Sequence, residues 1–118
     1  MDLEAFGGNF SRSEFACKCG CGFDTADTEL VYLLNKIRFH FNAPIRINSG
    51  ARCKTHNKKE GGKHTSQHLI GRAADIVVSG ASPIEVADYA ETLIPNHGGI
   101  GRYISFTHID TRANKARW

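Results

Sequence analysis

The 118-residue chain predicts an α+β fold: a small, mainly antiparallel sheet with flanking helices. Three observations carry that prediction. Ser82-Pro83-Ile84-Glu85 is a capping box with proline at the first helical position, so a helix starts there. Two segments with strand character, about 45–48 and 73–78, precede it. Two more, about 100–103 and 106–110, follow Gly98-Gly99 and are joined tightly enough to form a hairpin.

In chain order, the opening to about Phe23 is irregular and rich in glycine and cysteine, with capping-box spacing at Ser11-Arg12-Ser13-Glu14 that can start one helical turn. A helix is expected over about 28–39, because Leu30, Leu34 and Ile37 recur on one face with Val31 and Leu33 beside them. Asp27 or Thr28 can cap it, and Asn42-Ala43-Pro44 ends it. Ile45-Arg46-Ile47-Asn48 alternates as a strand does, and Ser49-Gly50 breaks it. The polar stretch 55–60 can hold a short helix before Gly61-Gly62. Residues 73–78 form a strand with Ser79-Gly80 as its turn, and the helix capped by Ser82 runs to Pro95.

Composition places the chain among soluble globular proteins, as a single domain over 1–118: 41% hydrophobic, 23% charged, formal charge +3. The basic residues form no continuous run, Lys58-Lys59 being the densest internal pair, and the few aromatics are not interleaved with them, which argues against a nucleic-acid binder. No apolar run approaches a membrane span. The start, Met1-Asp2-Leu3-Glu4, lacks the apolar segment of a secretory signal, so synthesis in the cytosol is expected; a substrate outside the membrane would require something else to release the chain.

The chemistry concentrates in Ser66-Gln67-His68-Leu69-Ile70-Gly71-Arg72-Ala73-Ala74-Asp75-Ile76, answered by Thr107-His108-Ile109-Asp110. A carboxylate between Ala74 and Ile76 is costly to bury unless paired or bound to metal. Period-2 alternation puts Phe106, His108 and Asp110 on one strand face. Singly, each residue has an ordinary explanation, a hydrogen-bonded histidine or a loop-capping aspartate. Together they offer two imidazoles and a carboxylate to one ion, the donor set of a catalytic zinc site with one position left for water. Such a site activates water and polarises a carbonyl, which makes a zinc hydrolase the first expectation.

Ser49-Gly50-Ala51-Arg52, Asn57, Gly61-Gly62, Ser66-x-His68-x-x-Gly71-x-Ala73-x-Asp75-Ile76, Gly99-Ile100-Gly101-x-Tyr103 and His108-x-Asp110 together resemble the zinc D-Ala-D-Ala carboxypeptidase family. That family includes phage endolysins and other peptidoglycan peptidases and is structurally akin to the hedgehog domain. The likeness runs from Phe15 to Trp118. It implies that His68, Asp75 and His108 ligate Zn2+, and that Arg52 faces the substrate to bind a carboxylate or steady an oxyanion. The chain departs from the pattern where relatives carry the general base: those positions are Phe106 and Ser105. Asp110, on the same strand face, is therefore the expected base, with His64 as the alternative and Asp110 then supporting the site; Ser66 is expected to fix loop geometry or hydrogen-bond a ligand. The implied function is a monomeric, endolysin-like peptidase acting on peptidoglycan stem peptides at L-Ala-D-Glu or D-Ala-D-Ala bonds. A non-catalytic wall-binding module and a phage structural component are the alternatives.

Cys17, Cys19, Cys21 and Cys53 can make two disulfides, a four-thiolate zinc site or free thiols. Cys-x-Cys-x-Cys lacks the two-residue spacing usual in structural zinc sites, and a cytosolic origin disfavours disulfides. Free thiols and a redox-dependent bridge from Cys53 are the expectations here, and the resemblance suggests a structural clasp. No cysteine-peptidase signature surrounds Cys53, despite His56 nearby in sequence, or Cys21.

Overall fold

The computed structural model describes residues 10–63 and 65–118. Among these, five strands form one sheet: β1 (Ile45–Ser49), β2 (Ala73–Val78), β3 (Gly99–Arg102), β4 (Thr107–Asp110) and β5 (Ala116–Arg117). Their order is β1-β2-β4-β3-β5, and every pairing is antiparallel except that of β3 with β5. The α-helices are α1 (Thr28–Phe41), α2 (Lys54–Lys59) and α3 (Pro83–Leu93), with 3-10 turns at Arg12–Phe15 and Gln67–Ile70. The expected α+β class with a mainly antiparallel sheet is the one observed.

Helices α1 and α3 cover one face of the sheet. Leu30, Val31, Leu34 and Ile37 of α1 and Val86, Ala87 and Ala90 of α3 pack with Ile47, Ile76, Ile100 and Ile109 from the strands. Fully burying each large aliphatic side chain stabilises the fold by about 1.5–3 kcal/mol. Because strand residues alternate between faces, Ala74, Ile76 and Ile109 join this core while Asp75, His108 and Asp110 must lie on the opposite face.

The caps explain most boundaries. Ser82 Oγ accepts the Glu85 N–H at 3.1 Å, and the Glu85 carboxylate accepts the Ser82 N–H at 3.0 Å. Helix α1 runs two residues beyond the expected end, because Phe41 still packs against the core and Asn42 then turns left-handed at φ 49°. Asp27 stands at the N-cap of α1, yet its carboxylate accepts the Thr111 hydroxyl at 3.0 Å instead of capping the backbone. Strand β5 escaped prediction because two residues show no period. Contacts with other elements hold it: Arg117 forms a bidentate pair with Glu91 and donates to the carbonyls of Ile94 and Gly98.

Candidate metal centre and cleft

Strands β2 and β4 place Asp75 directly opposite His108, so two of the expected ligands form a cross-strand pair on the face away from the helices. The third comes from the 3-10 turn Gln67–Ile70. Ser66 Oγ accepts the His68 N–H at 3.2 Å, and Gly71 ends the turn at φ 69°. A side chain at Gly71 would also collide with the Thr25 carbonyl, so both the turn and the close approach require glycine. The result is a buried triad in which His68, Asp75 and His108 each offer a ligand atom within 4.8 Å of the others.

The hydrogen bonds decide which atoms face inward. Gly50 O can only accept, so His68 Nδ1, 2.7 Å away, is the protonated nitrogen and Nε2 carries the lone pair. His108 Nε2–H donates to Asp110 Oδ2 at 2.8 Å, and Nδ1 faces Asp75 Oδ1 at 2.9 Å, donating to it when the ring is protonated and presenting its lone pair when the ring is neutral. His68 Nε2 lies 3.4 Å from the same oxygen. With both rings neutral, two imidazole lone pairs and a carboxylate oxygen converge, a donor set that suits a cation at their centre. The shifts in acidity follow from the pairing of these groups with one another. Burial pushes the Asp75 carboxyl up, but His108 and His68 outweigh it and hold it well below the usual range. Burial pushes His108 down, but Asp110 and Asp75 overcome it and raise it above its ordinary value. The donor set fits zinc: two imidazoles and a carboxylate, each histidine oriented by a hydrogen bond from its other nitrogen.

Arg52 reaches this cluster from the loop after β1. Its guanidinium donates to Ser49 Oγ at 2.9 Å, Asn57 Oδ1 at 3.3 Å and Asp75 Oδ2 at 3.2 Å. The side chain therefore braces the carboxylate ligand as well as lining the cleft. A guanidinium has five N–H donors, so among the described residues these contacts leave two unused.

Asp110 sits behind His108. Its side chain is fully buried, bonded to His108 and held by Arg112 through Nε at 2.9 Å and Nη2 at 2.7 Å. Burial pushes its carboxyl up, but the His108 and Arg112 bonds dominate and keep it ionised. The missing side chain at Gly99 makes room for this carboxylate. Asp110 is absent from the cleft wall, which is where a base acting on water would stand. The other expected base, His64, falls outside the described residues.

The triad opens into a cleft of about 680 Å³. One side is aromatic: Tyr103 stacks on Phe106 with ring centroids 4.3 Å apart, and Trp118 lies 4.9 Å from His108 and donates Nε1–H to the Tyr103 hydroxyl at 2.8 Å. The other side is polar, with Arg52, Glu60, Lys63 and Gln67. Among the described residues, Gln67 Oε1 is buried without a hydrogen-bond partner. The sequence reading missed Arg112, Trp118 and the Gly50 carbonyl. A basic residue two positions after a buried aspartate hinted at Arg112, whereas a backbone carbonyl leaves no sequence signal. All four cysteines are free thiols.

A family model described as Peptidase M15 matches residues 8–110. No curated protein matches the chain closely enough to count as a relative. The match spans most of the chain, which belongs to that family, the zinc D-Ala-D-Ala carboxypeptidase family of the resemblance.

Proposed function

We propose that this member of the M15 peptidases is a zinc-dependent peptidase that cuts the stem peptides of peptidoglycan. One observation carries the reading: His68 Nε2, His108 Nδ1 and the Asp75 carboxylate converge in a buried cluster at the cleft. When bound there, zinc supplies the Lewis acidity that acidifies water and polarises a scissile carbonyl.

The chain's own groups do the rest. Gly50 O and Asp110 hold the two imidazoles in their metal-facing tautomers. Arg52 keeps Asp75 in place and directs its two unused N–H groups toward a substrate carboxylate or a developing oxyanion. Gln67 Oε1, an acceptor without a partner among the described residues, suits a peptide N–H. The aromatic side formed by Tyr103, Phe106 and Trp118 gives the substrate an apolar bed. Asp110 is in this reading a positioning residue and not the base, because both of its oxygens are engaged away from the cleft. The proton acceptor then stands on the cleft wall, where Glu60 is, among the described residues, the carboxylate other than Asp75.

The test is digestion of purified murein with and without a chelator, followed by mass analysis of the fragments. Chelator-sensitive release of peptides supports the reading. The fragment masses distinguish an endolysin-type cut at L-Ala-D-Glu from removal of a terminal D-Ala. The withdrawal of Asp110 from the cleft favours one other reading, a non-catalytic zinc-containing module that binds the wall. That reading predicts sedimentation with murein and no fragments.

A further inference from the structure

Far from the triad in sequence, Cys17, Cys19 and Cys21 come from one irregular segment and Cys53 from the residue before α2, and their sulfurs meet. Cys17 Sγ lies 3.4 Å from Cys19 Sγ and 3.8 Å from Cys53 Sγ, and Cys19 Sγ lies 3.6 Å from Cys53 Sγ. Cys21 completes the group, with all four sulfurs within 4.8 Å of one another. A disulfide needs about 2.05 Å between sulfurs, so these are unbonded contacts. Four thiolates around one zinc at about 2.3 Å stand about 3.8 Å apart along each tetrahedral edge, close to the spacing found here.

The surroundings are those of a metal clasp. The Cys53 N–H points to Cys17 Sγ at 3.4 Å and the His56 N–H to Cys53 Sγ at 3.4 Å, backbone donors of the kind that steady ligating sulfur. The run Cys-x-Cys-x-Cys can deliver three sulfurs to one point because Gly20 and Gly22 turn the chain at φ 83° and 90°, and because the Cys17 N–H closes the loop onto Phe23 O at 2.7 Å. The spacing rule that disfavoured zinc describes pairs separated by two residues and does not cover a loop folded back on itself.

We propose that Cys17, Cys19, Cys21 and Cys53 form a four-thiolate structural zinc site, separate from the His68–Asp75–His108 cluster. Binding releases the thiol protons to solvent and ties the segment around Cys17–Phe23 to the loop that carries Gly50 and Arg52. The same two segments also meet through the Ala51 N–H and Phe15 O at 2.8 Å. The site thereby holds in place the carbonyl that orients His68 and the guanidinium that braces Asp75.

The experiment is elemental analysis of the purified full chain beside two variants, Cys19→Ser/Cys21→Ser and His68→Ala/His108→Ala. Two zinc equivalents are expected in the parent and one in each variant. In the histidine variant, p-hydroxymercuribenzoate should release the remaining equivalent as four thiols react, and cobalt in its place should show thiolate-to-metal charge-transfer absorption. This arm stands even if the cysteine variant fails to fold. A metal-free histidine variant, iron in place of zinc, or fewer than four thiols labelled after denaturation and chelation would each overturn the proposal. Loss of the only equivalent in the cysteine variant would instead keep this site and remove the one in the cleft.

Discussion

The His68–Asp75–His108 cluster and the four-cysteine cluster both gather ligand atoms within 4.8 Å, but they are built in opposite ways. The first stands largely on paired strands, is buried, and has each imidazole held by a hydrogen bond from behind. The second is made of loop, with Cys19 and Cys21 exposed, and gains its shape from chain turns. One opens into a cleft, and the other gathers four sulfurs at one point. The contrast shows what each task demands: chemistry needs rigid orientation and an open side, whereas a clasp needs closure alone.

The largest effect should come from removing a ligand in the cleft. His68→Ala or Asp75→Ala is expected to lose the cleft equivalent of zinc and to drop murein digestion to background while the thiolate equivalent stays. Full activity in either variant would end the assignment. Asp110→Asn weakens the acceptor behind His108 without removing a ligand. A loss of about 10–100-fold in metal affinity or activity is expected, measured by competition with a chromogenic chelator, and an unchanged affinity would leave Asp110 without a positioning role. Gly71→Ala forces a left-handed residue and a collision with the Thr25 carbonyl. Urea unfolding should show a loss of about 1–3 kcal/mol. Chelation should raise hydrogen exchange in the segment leading into His68 more than in α3, and equal changes in both would erase the distinction between a metal-held turn and a self-supporting helix. The smallest effect is Ser82→Ala, which removes a cap worth about 1 kcal/mol and should leave zinc content untouched. Glu85, held below its ordinary range by its bonds to Ser82, adds stability that is present at neutral pH and lost as pH falls through its lowered value.

Much of the frame was legible in the sequence. The apolar period of α1 and the alternation of β1 and β4 record a regular backbone repeat, which is visible locally, and the capping box of α3 is a local signal of its own. The boundary of α1 shifted by two residues because Phe41 finds its place only in the packed core. The turn at Gln67–Ile70 and strand β5 were invisible because each is too short for a pattern to accumulate.

The sequence by itself determined four of the sheet's five strands, the face shared by His108 and Asp110, and the histidines and carboxylate worth naming as ligands. Tertiary structure alone decided what those residues touch. It turned Asp110 toward Arg112 and His108, engaged Arg52 with Asp75, set a backbone carbonyl behind His68, and brought Cys53 to three cysteines more than thirty positions away. The physical reason is that a strand's period specifies which side of the backbone a group leaves from. Its partner depends on which distant segment packs there, and a hydrogen bond or ligand set leaves no periodic trace in the chain.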